Sequence, residues 1–167
     1  MEENKVTLIE YHPSHAPELL RLLLELHNTF FHKSASSQIQ QLRAETNMEQ
    51  AYKEYIAQIN ENKDGSWKIY LAATSDNRIV GYIIGSIEKD ESLVYNTIGK
   101  LEDWYVEEAY REKGVGGELY HKLEEWYREK GCQQVLSDTW QDNMSSINAH
   151  KKSGFFVSGI MFGKILK

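Results

Sequence analysis

Cysteine is almost missing from this chain: Cys132 is the only one in 167 residues, so no disulfide can form within it. Proline occurs twice, and one of the two, Pro17, falls where a helix would begin. Long apolar runs are missing too. The leucine-rich cluster at 19–26 is interrupted by Arg21 and Glu25 and falls far short of the ~20 residues that a membrane span needs. The start has no charged segment leading into an apolar one, so a cytoplasmic location is expected. Basic residues are in deficit, 19 against 25 acidic ones, giving a net charge of −6 and a pI near 5.5. That balance argues against nucleic acid or an anionic membrane as partner and favours a cationic one. The six histidines and the single cysteine show no metal-ligand spacing, and no repeat or low-complexity segment occurs. What is present, 41% hydrophobic and 26% charged residues, describes one globular domain over 1–167 with enough chain for a single core.

Periodicity orders the elements. Residues 5–10 alternate as a strand, and Ser14 with Pro17 starts a leucine-rich helix to about 27. A connection over 30–37 leads to a helix or helix pair at 38–62, with Leu42, Met48, Ala51, Tyr55 and Ile59 at helical spacing. A turn at 63–66 precedes a hairpin of strands 67–74 and 78–88, and another strand covers 98–106. The helix at 114–130 carries an apolar stripe of Val115, Leu119, Leu123 and Trp126 and closes at Gly131. A short strand at 133–138, a helix from Asp142 or Asn143 to 153, and one or two final strands over 155–166 complete an α/β (α+β) mixed sheet.

The strand Leu101-Glu102-Asp103-Trp104-Tyr105-Val106 feeds a turn, Arg111-Glu112-Lys113-Gly114-Val115-Gly116-Gly117, that opens a helix. Such a turn brings backbone N–H groups to the positive end of a helix dipole and suits a phosphate or pyrophosphate. It is not a dinucleotide fingerprint, because Leu119 stands where the third glycine is required, and it lacks the Gly-Lys-Ser/Thr ending of a nucleotide-hydrolase loop. Taken alone, it is equally well a tight strand-to-helix turn.

Two motifs together narrow the reading. Arg111-x-x-Gly114-x-Gly116 after a strand, followed by Asn143 opening a helix that ends Lys152-Ser153-Gly154-Phe155, resembles the acetyl-CoA signature of the GNAT superfamily of N-acyltransferases. The resemblance is close from about residue 67 to the C-terminus, and the N-terminal third matches in element order. It implies an acyl-CoA N-acyltransferase-like fold, a mixed, splayed β-sheet flanked by helices, forming one N-acetyltransferase domain over 1–167. It further implies acetyl-CoA as acyl-donor cosubstrate, with no metal. The pyrophosphate would lie on Arg111, Glu112, Lys113, Gly114, Val115, Gly116 and Gly117. Pantetheine would pair along Trp104, Tyr105 and Val106, with the Val106 N–H polarising the thioester carbonyl and Asn143 adding a hydrogen bond. Lys151 and Lys152 suit the negative end of their helix, and Lys152 is also a candidate for a coenzyme phosphate.

Direct acyl transfer needs a deprotonated amine, so a base is required. Glu102 and Asp103 are the candidates, both for that role and for holding a cationic acceptor. Being adjacent on a strand they should point to opposite faces, leaving one to look into the cleft. The string Leu-Glu-Asp-x-x-Val is similar to that of polyamine and related small-amine acetyltransferases. Where the superfamily often has a Tyr that reprotonates the leaving thiolate, this chain has His150; histidine can donate a proton, and Tyr105 and Tyr110 are other candidates. Phe30 and Phe31, with His27 and His32, either line the acceptor pocket or anchor the loop. Trp104, Trp126, Tyr120 and Tyr127 read as core packing. The expected activity is transfer of an acetyl group to a primary amine of a small-molecule, polyamine-like or Lys-like acceptor in a ternary complex. An aminoglycoside-type acetyltransferase, a non-catalytic acyl-CoA sensor and a plain nucleotide-binding module are the alternatives. Homodimer formation through the terminal strands is a further expectation from the family.

Overall fold

Apolar residues occupy both parities of the central strands, so each strand has two faces to bury and the helices divide to cover them. The computed structural model describes residues 5–33, 36, 37, 40 and 47–164, with only the backbone at 31–33. Its elements are β1 (Thr7–Glu10), α1 (Ala16–Lys33), α2 (Met48–Glu61), β2 (Trp67–Ala73), β3 (Ile79–Lys89), β4 (Thr97–Val106), α3 (Val115–Glu129), β5 (Gln134–Leu136) and α4 (Met144–Lys152). The sheet order is β1-β2-β3-β4-β5, antiparallel as far as β4. β5 joins β4 in parallel, and only along Ile98, Gly99 and Lys100. Beyond Lys100 the two strands part. Among the described residues, the edge of β4 from Leu101 to Val106 has no strand beside it on that side, which is the mixed, splayed sheet flanked by helices that the resemblance implies.

One face receives α1 and α2: Leu19, Leu22, Leu23, Ile56 and Ile59 pack on Ile69, Leu71, Tyr82, Ile84 and Tyr105. The other receives α3, whose Val115, Leu119, Leu123, Trp126 and Tyr127 cover Tyr70, Ala72, Val80, Ile83, Leu101 and Val106. Gly99 makes room for this second layer, since a Cβ there would come to 2.7 Å from Cδ1 of Tyr127. The Tyr127 hydroxyl then donates to Lys100 O, at the last residue where β4 and β5 are paired. Just past β4, buried Glu107 is met by Arg21 of α1 at 2.8 Å and by Arg78 of the β2–β3 turn at 2.7 Å. A carboxylate that far from water needs such partners, and they tie the end of β4 to α1 and to the hairpin.

Two expectations change, and one further helix gains its boundary. The first helix does not stop near residue 27 but runs to Lys33, taking in part of the supposed connection; no glycine or proline interrupts it, and Phe30 extends its buried face. The helix at 48–61 is capped by Asn47, whose Oδ1 accepts from Gln50 N at 3.2 Å, while Leu42 lies outside the described residues. No strand forms over 155–164. Phe156, Val157, Ile160, Met161 and Phe162 have strand-like composition yet are each at least 72% exposed, because a strand exists only with a neighbour to take its backbone hydrogen bonds. Among the described residues no helix is long and apolar enough to cross a membrane, and no cluster of three or more His, Cys, Asp or Glu is placed to hold a metal ion.

Candidate active site

The chain leaving β4 makes a 3-10 turn at Glu108–Tyr110, and Glu112 and Gly114 then take φ of 61° and 87° before α3 begins. A left-handed dihedral at Gly114 is what glycine provides at little cost. No side chain caps the helix. Glu118 is the first to donate into it, to Gly114 O at 3.0 Å, so the N–H groups of Val115, Gly116 and Gly117 precede the helical ladder and face out of its end. A Cβ would meet nothing within 4 Å at Gly114 or Gly117 and would come to 3.5 Å from the Trp104 ring at Gly116. The end of α3 is therefore an open, positively polarised mouth. Glu112 and Lys113 are exposed beside it, and Lys113 Nζ lies 5.5 Å from the centre of the Tyr110 ring. Arg111 is turned inward: its Nε donates to Val106 O at 2.8 Å and its guanidinium covers the Tyr105 ring at 5.4 Å, fastening the turn to β4.

Glu107 N donates to Val80 O at 2.9 Å. Because N–H directions alternate along a strand, the Val106 N–H faces away from β3, toward the open edge. The Trp104 ring lies on the α3 side, 5.7 Å from Tyr120 and 6.0 Å from His150 between centroids. Tyr105 goes to the α1 side, where its hydroxyl donates to Glu25 Oε1 at 3.0 Å. Burial, then Glu25, pushes Tyr105 up to about 12. An engaged hydroxyl on that face is separated by the sheet from the α4 side, where His150 stands.

The carboxylates are placed differently from the sequence expectation. Asp103 pairs with Ile84 and Leu101 with Gly85, so Glu102 is an extra residue in β4, a β-bulge. A bulge resets the alternation. Leu101 remains on the α3 face, while Glu102 accepts from the Ser86 hydroxyl and Asp103 Oδ1 accepts from the Tyr82 hydroxyl at 3.2 Å. Ser86 and Tyr82 share one parity of β3, so both carboxylates look toward α1 and α2 rather than to opposite faces. Tyr55 of α2 senses both, and burial together with Asp103 and Glu102 raises its hydroxyl well above the usual range. Asp103 keeps some exposed surface, yet its carboxyl is ringed by protein atoms. That desolvation pushes it up to about 7, against the opposing pull of the Tyr82 hydroxyl and the Trp104 N–H. A carboxyl with a midpoint there is suited to a general base.

Around this pair, His27 Nδ1 lies 3.3 Å from the Tyr52 hydroxyl, with the two rings edge to face at 5.9 Å. Phe30 is buried in α1, and the Phe31 and His32 side chains lie outside what the structure describes. Tyr52, Tyr55, Tyr82 and Ser86 were not singled out as site residues from sequence; the shared parity of Tyr82 and Ser86 on the hairpin strand was the available signal.

On the opposite side, Asn143 caps α4, its Oδ1 accepting from Ser146 N at 3.2 Å. Its oxygen is thus used by the helix, leaving the amide nitrogen to face a ligand. One turn beyond Ser146, His150 places Nδ1 2.7 Å from Ser146 O and Nε2 2.9 Å from the Ser137 hydroxyl. Lys152 is exposed at the end of the helix.

Comparisons with known proteins bear on the family and the fold. Residues 22–155 match the Acetyltransferase (GNAT) family, and the chain belongs to that family. An aminoglycoside N(6')-acetyltransferase type 1 of Klebsiella aerogenes is 34% identical over 88 residues, 52% of this chain and 58% of the relative. One of the same description from Stenotrophomonas maltophilia is 29% identical over 94 residues, 55% of this chain and 61% of the relative. The chain thus spans less than two thirds of the curated relatives it matches. Among solved structures, the aminoglycoside acetyltransferase AAC(6')-Iy in complex with a bisubstrate analogue, CoA-S-monomethyl-acetylneamine, superposes with a TM-score of 0.71 over 98% of this chain and 99% of that one. At 18% identity that likeness speaks for the fold.

Proposed function

We propose that the chain is an acetyl-CoA-dependent N-acetyltransferase acting on a primary amine of an aminoglycoside-type aminosugar, by direct attack in a ternary complex. The observation that carries this reading is the bulge in β4, which gathers Glu102 and Asp103 on one face while the opposite edge of the strand stays open beside the glycine turn. The names of the curated relatives favour an aminosugar over the polyamine-like or Lys-like acceptor expected from sequence. Two carboxylates on one face of the strand suit either kind of polycation.

The residues present fit acetyl-CoA. The uncapped end of α3 offers N–H groups and open space to a pyrophosphate. The free edge of β4, with the Val106 N–H, offers an amide chain the partners that a strand would have. When bound, acetyl-CoA supplies a thioester carbon open to attack and a thiolate leaving group. On the acceptor side, Glu102 would hold the ammonium and ionised Asp103 would take its proton. Val106 N–H, at the turn end of the open edge, would meet the amides of the pantetheine arm rather than the thioester.

The test is thiol release from acetyl-CoA with neamine, spermidine and a lysine peptide supplied in turn. The expected result is a higher kcat/KM for neamine than for the other two. A preference for spermidine would return the acceptor to the polyamine class, and absence of amine-dependent release across the panel would contradict the enzyme reading.

A further inference from the structure

We propose that Ser137 and His150 form the proton-donating pair of the transfer, Ser137 meeting the departing sulfur and His150 resupplying the serine; this rests on the acetyltransferase reading above. Ser137 follows directly on β5, and its Oγ lies 3.2 Å from Leu101 O and 2.9 Å from His150 Nε2. Leu101 is the first residue of β4 beyond the pairing with β5, so this hydroxyl sits where the two strands begin to part. The glycine turn lies at the other end of the opening. Between them β4 extends for roughly 16 Å, at ~3.3 Å per residue. An extended ligand arm that enters at the turn and follows the free edge inward finishes at Ser137.

His150 is held so that both of its charge states fit. A carbonyl only accepts, so the contact of Nδ1 with Ser146 O at 2.7 Å places a proton on Nδ1 in either state. Ser146 is fixed in turn by the Asn143 cap, and the ring stands edge to face with Trp104 at 6.0 Å and Phe155 at 5.1 Å. With His150 protonated on both nitrogens, Nε2–H donates to Ser137 Oγ and the serine proton lies on Leu101 O at the edge of the opening, from which rotation about the Cβ–Oγ bond turns it to the arriving sulfur. With His150 neutral, Ser137 donates to Nε2 instead. Transfer moves between these two arrangements without shifting a heavy atom. The C–S bond breaks with its electron pair on sulfur, the serine proton forms S–H, and the Nε2 proton replaces it on Oγ. His150 then takes a proton from solvent. The amine loses two protons, one before attack and one as the amide forms, and the carboxylates pass both to solvent. One proton is released per turnover, as acylation of an ammonium by a thioester requires.

The experiment measures dissociation constants of CoA and of desulfo-CoA, the same molecule without its sulfur, for the wild type, Ser137→Ala and Ser137→Thr, together with kcat. Ser137→Ala is expected to weaken CoA roughly tenfold while leaving desulfo-CoA unchanged, and to lower kcat roughly 100-fold. Ser137→Thr keeps the hydroxyl and should restore most of both. His150→Gln should lower kcat with the affinity for both ligands retained. Equal weakening of the two ligands in Ser137→Ala, or no change in either, would overturn the proposal. So would an acetylated Ser137 found by intact-mass analysis after exposure to acetyl-CoA, since that makes the serine a nucleophile. A wild type that binds neither ligand would overturn the acetyltransferase reading itself, and this proposal with it.

Discussion

The proposed mechanism makes two demands on Asp103, to attract an ammonium and to accept its proton, and a carboxyl poised near neutrality can meet both. Burial holds it at about 7, so its ionised fraction, and with it kcat/KM, should rise as pH passes through 7. Asp103→Asn should cost roughly 100-fold in kcat and flatten that rise, which pH–rate profiles of the two proteins would measure; an unchanged profile would remove Asp103 from the role of base. The same burial has a consequence for stability. A carboxyl raised in the folded state favours folding fully below its unfolded value near ~3.9, and that contribution is lost as pH rises through about 7. Thermal melts should therefore place Asp103→Asn above the wild type at pH 8, with the gap closing at pH 4. Glu102, exposed and hydrogen-bonded to Ser86, is the better placed of the two to hold an incoming cation.

In the proposed reading, donor binding depends on helix α3 and its glycine turn. Gly117 lies in the first turn with open space where a side chain would stand. A negative charge there agrees with the helix dipole but competes with an incoming pyrophosphate. Gly117→Glu should accordingly melt at or above the wild-type temperature and bind CoA at least roughly tenfold more weakly, which calorimetry can read; unaltered affinity would move the pyrophosphate site elsewhere. Most elements were legible in the sequence, because the leucines of α1, the stripe on α3 and the apolar hairpin strands repeat at their own periods. The glycine turn and Asn143 were legible as motifs. The bulge at Glu102 was not, since an extra residue in one strand is defined only against its partner, and Ile84 and Gly85 stand far away in sequence. The Ser137–His150 contact was hidden for a similar reason: it joins the end of a three-residue strand to the last turn of a helix. The segment 155–164 misled because its apolar composition is that of a strand, while its pairing depends on a neighbour that residues within reach do not supply.

At the scale of the whole molecule, β4 acts as a partition. Its Glu102 and Asp103 look toward α1 and α2, its free edge runs from Ser137 to the glycine turn, and the network of Arg21, Glu107 and Arg78 anchors its end to both the helix and the hairpin. In the proposed mechanism acceptor and donor therefore approach one strand from different sides, and neither has to leave before the other arrives. The same geometry gives no task to Cys132, which lies between α3 and β5, half-buried, with its thiol pushed up by desolvation. The most direct test is an initial-velocity study in which acetyl-CoA and neamine are both varied. Double-reciprocal lines that intersect are the expected result, because they require both substrates on the enzyme at once. Parallel lines, with an acetylated enzyme isolable in the absence of amine, would contradict direct attack across β4.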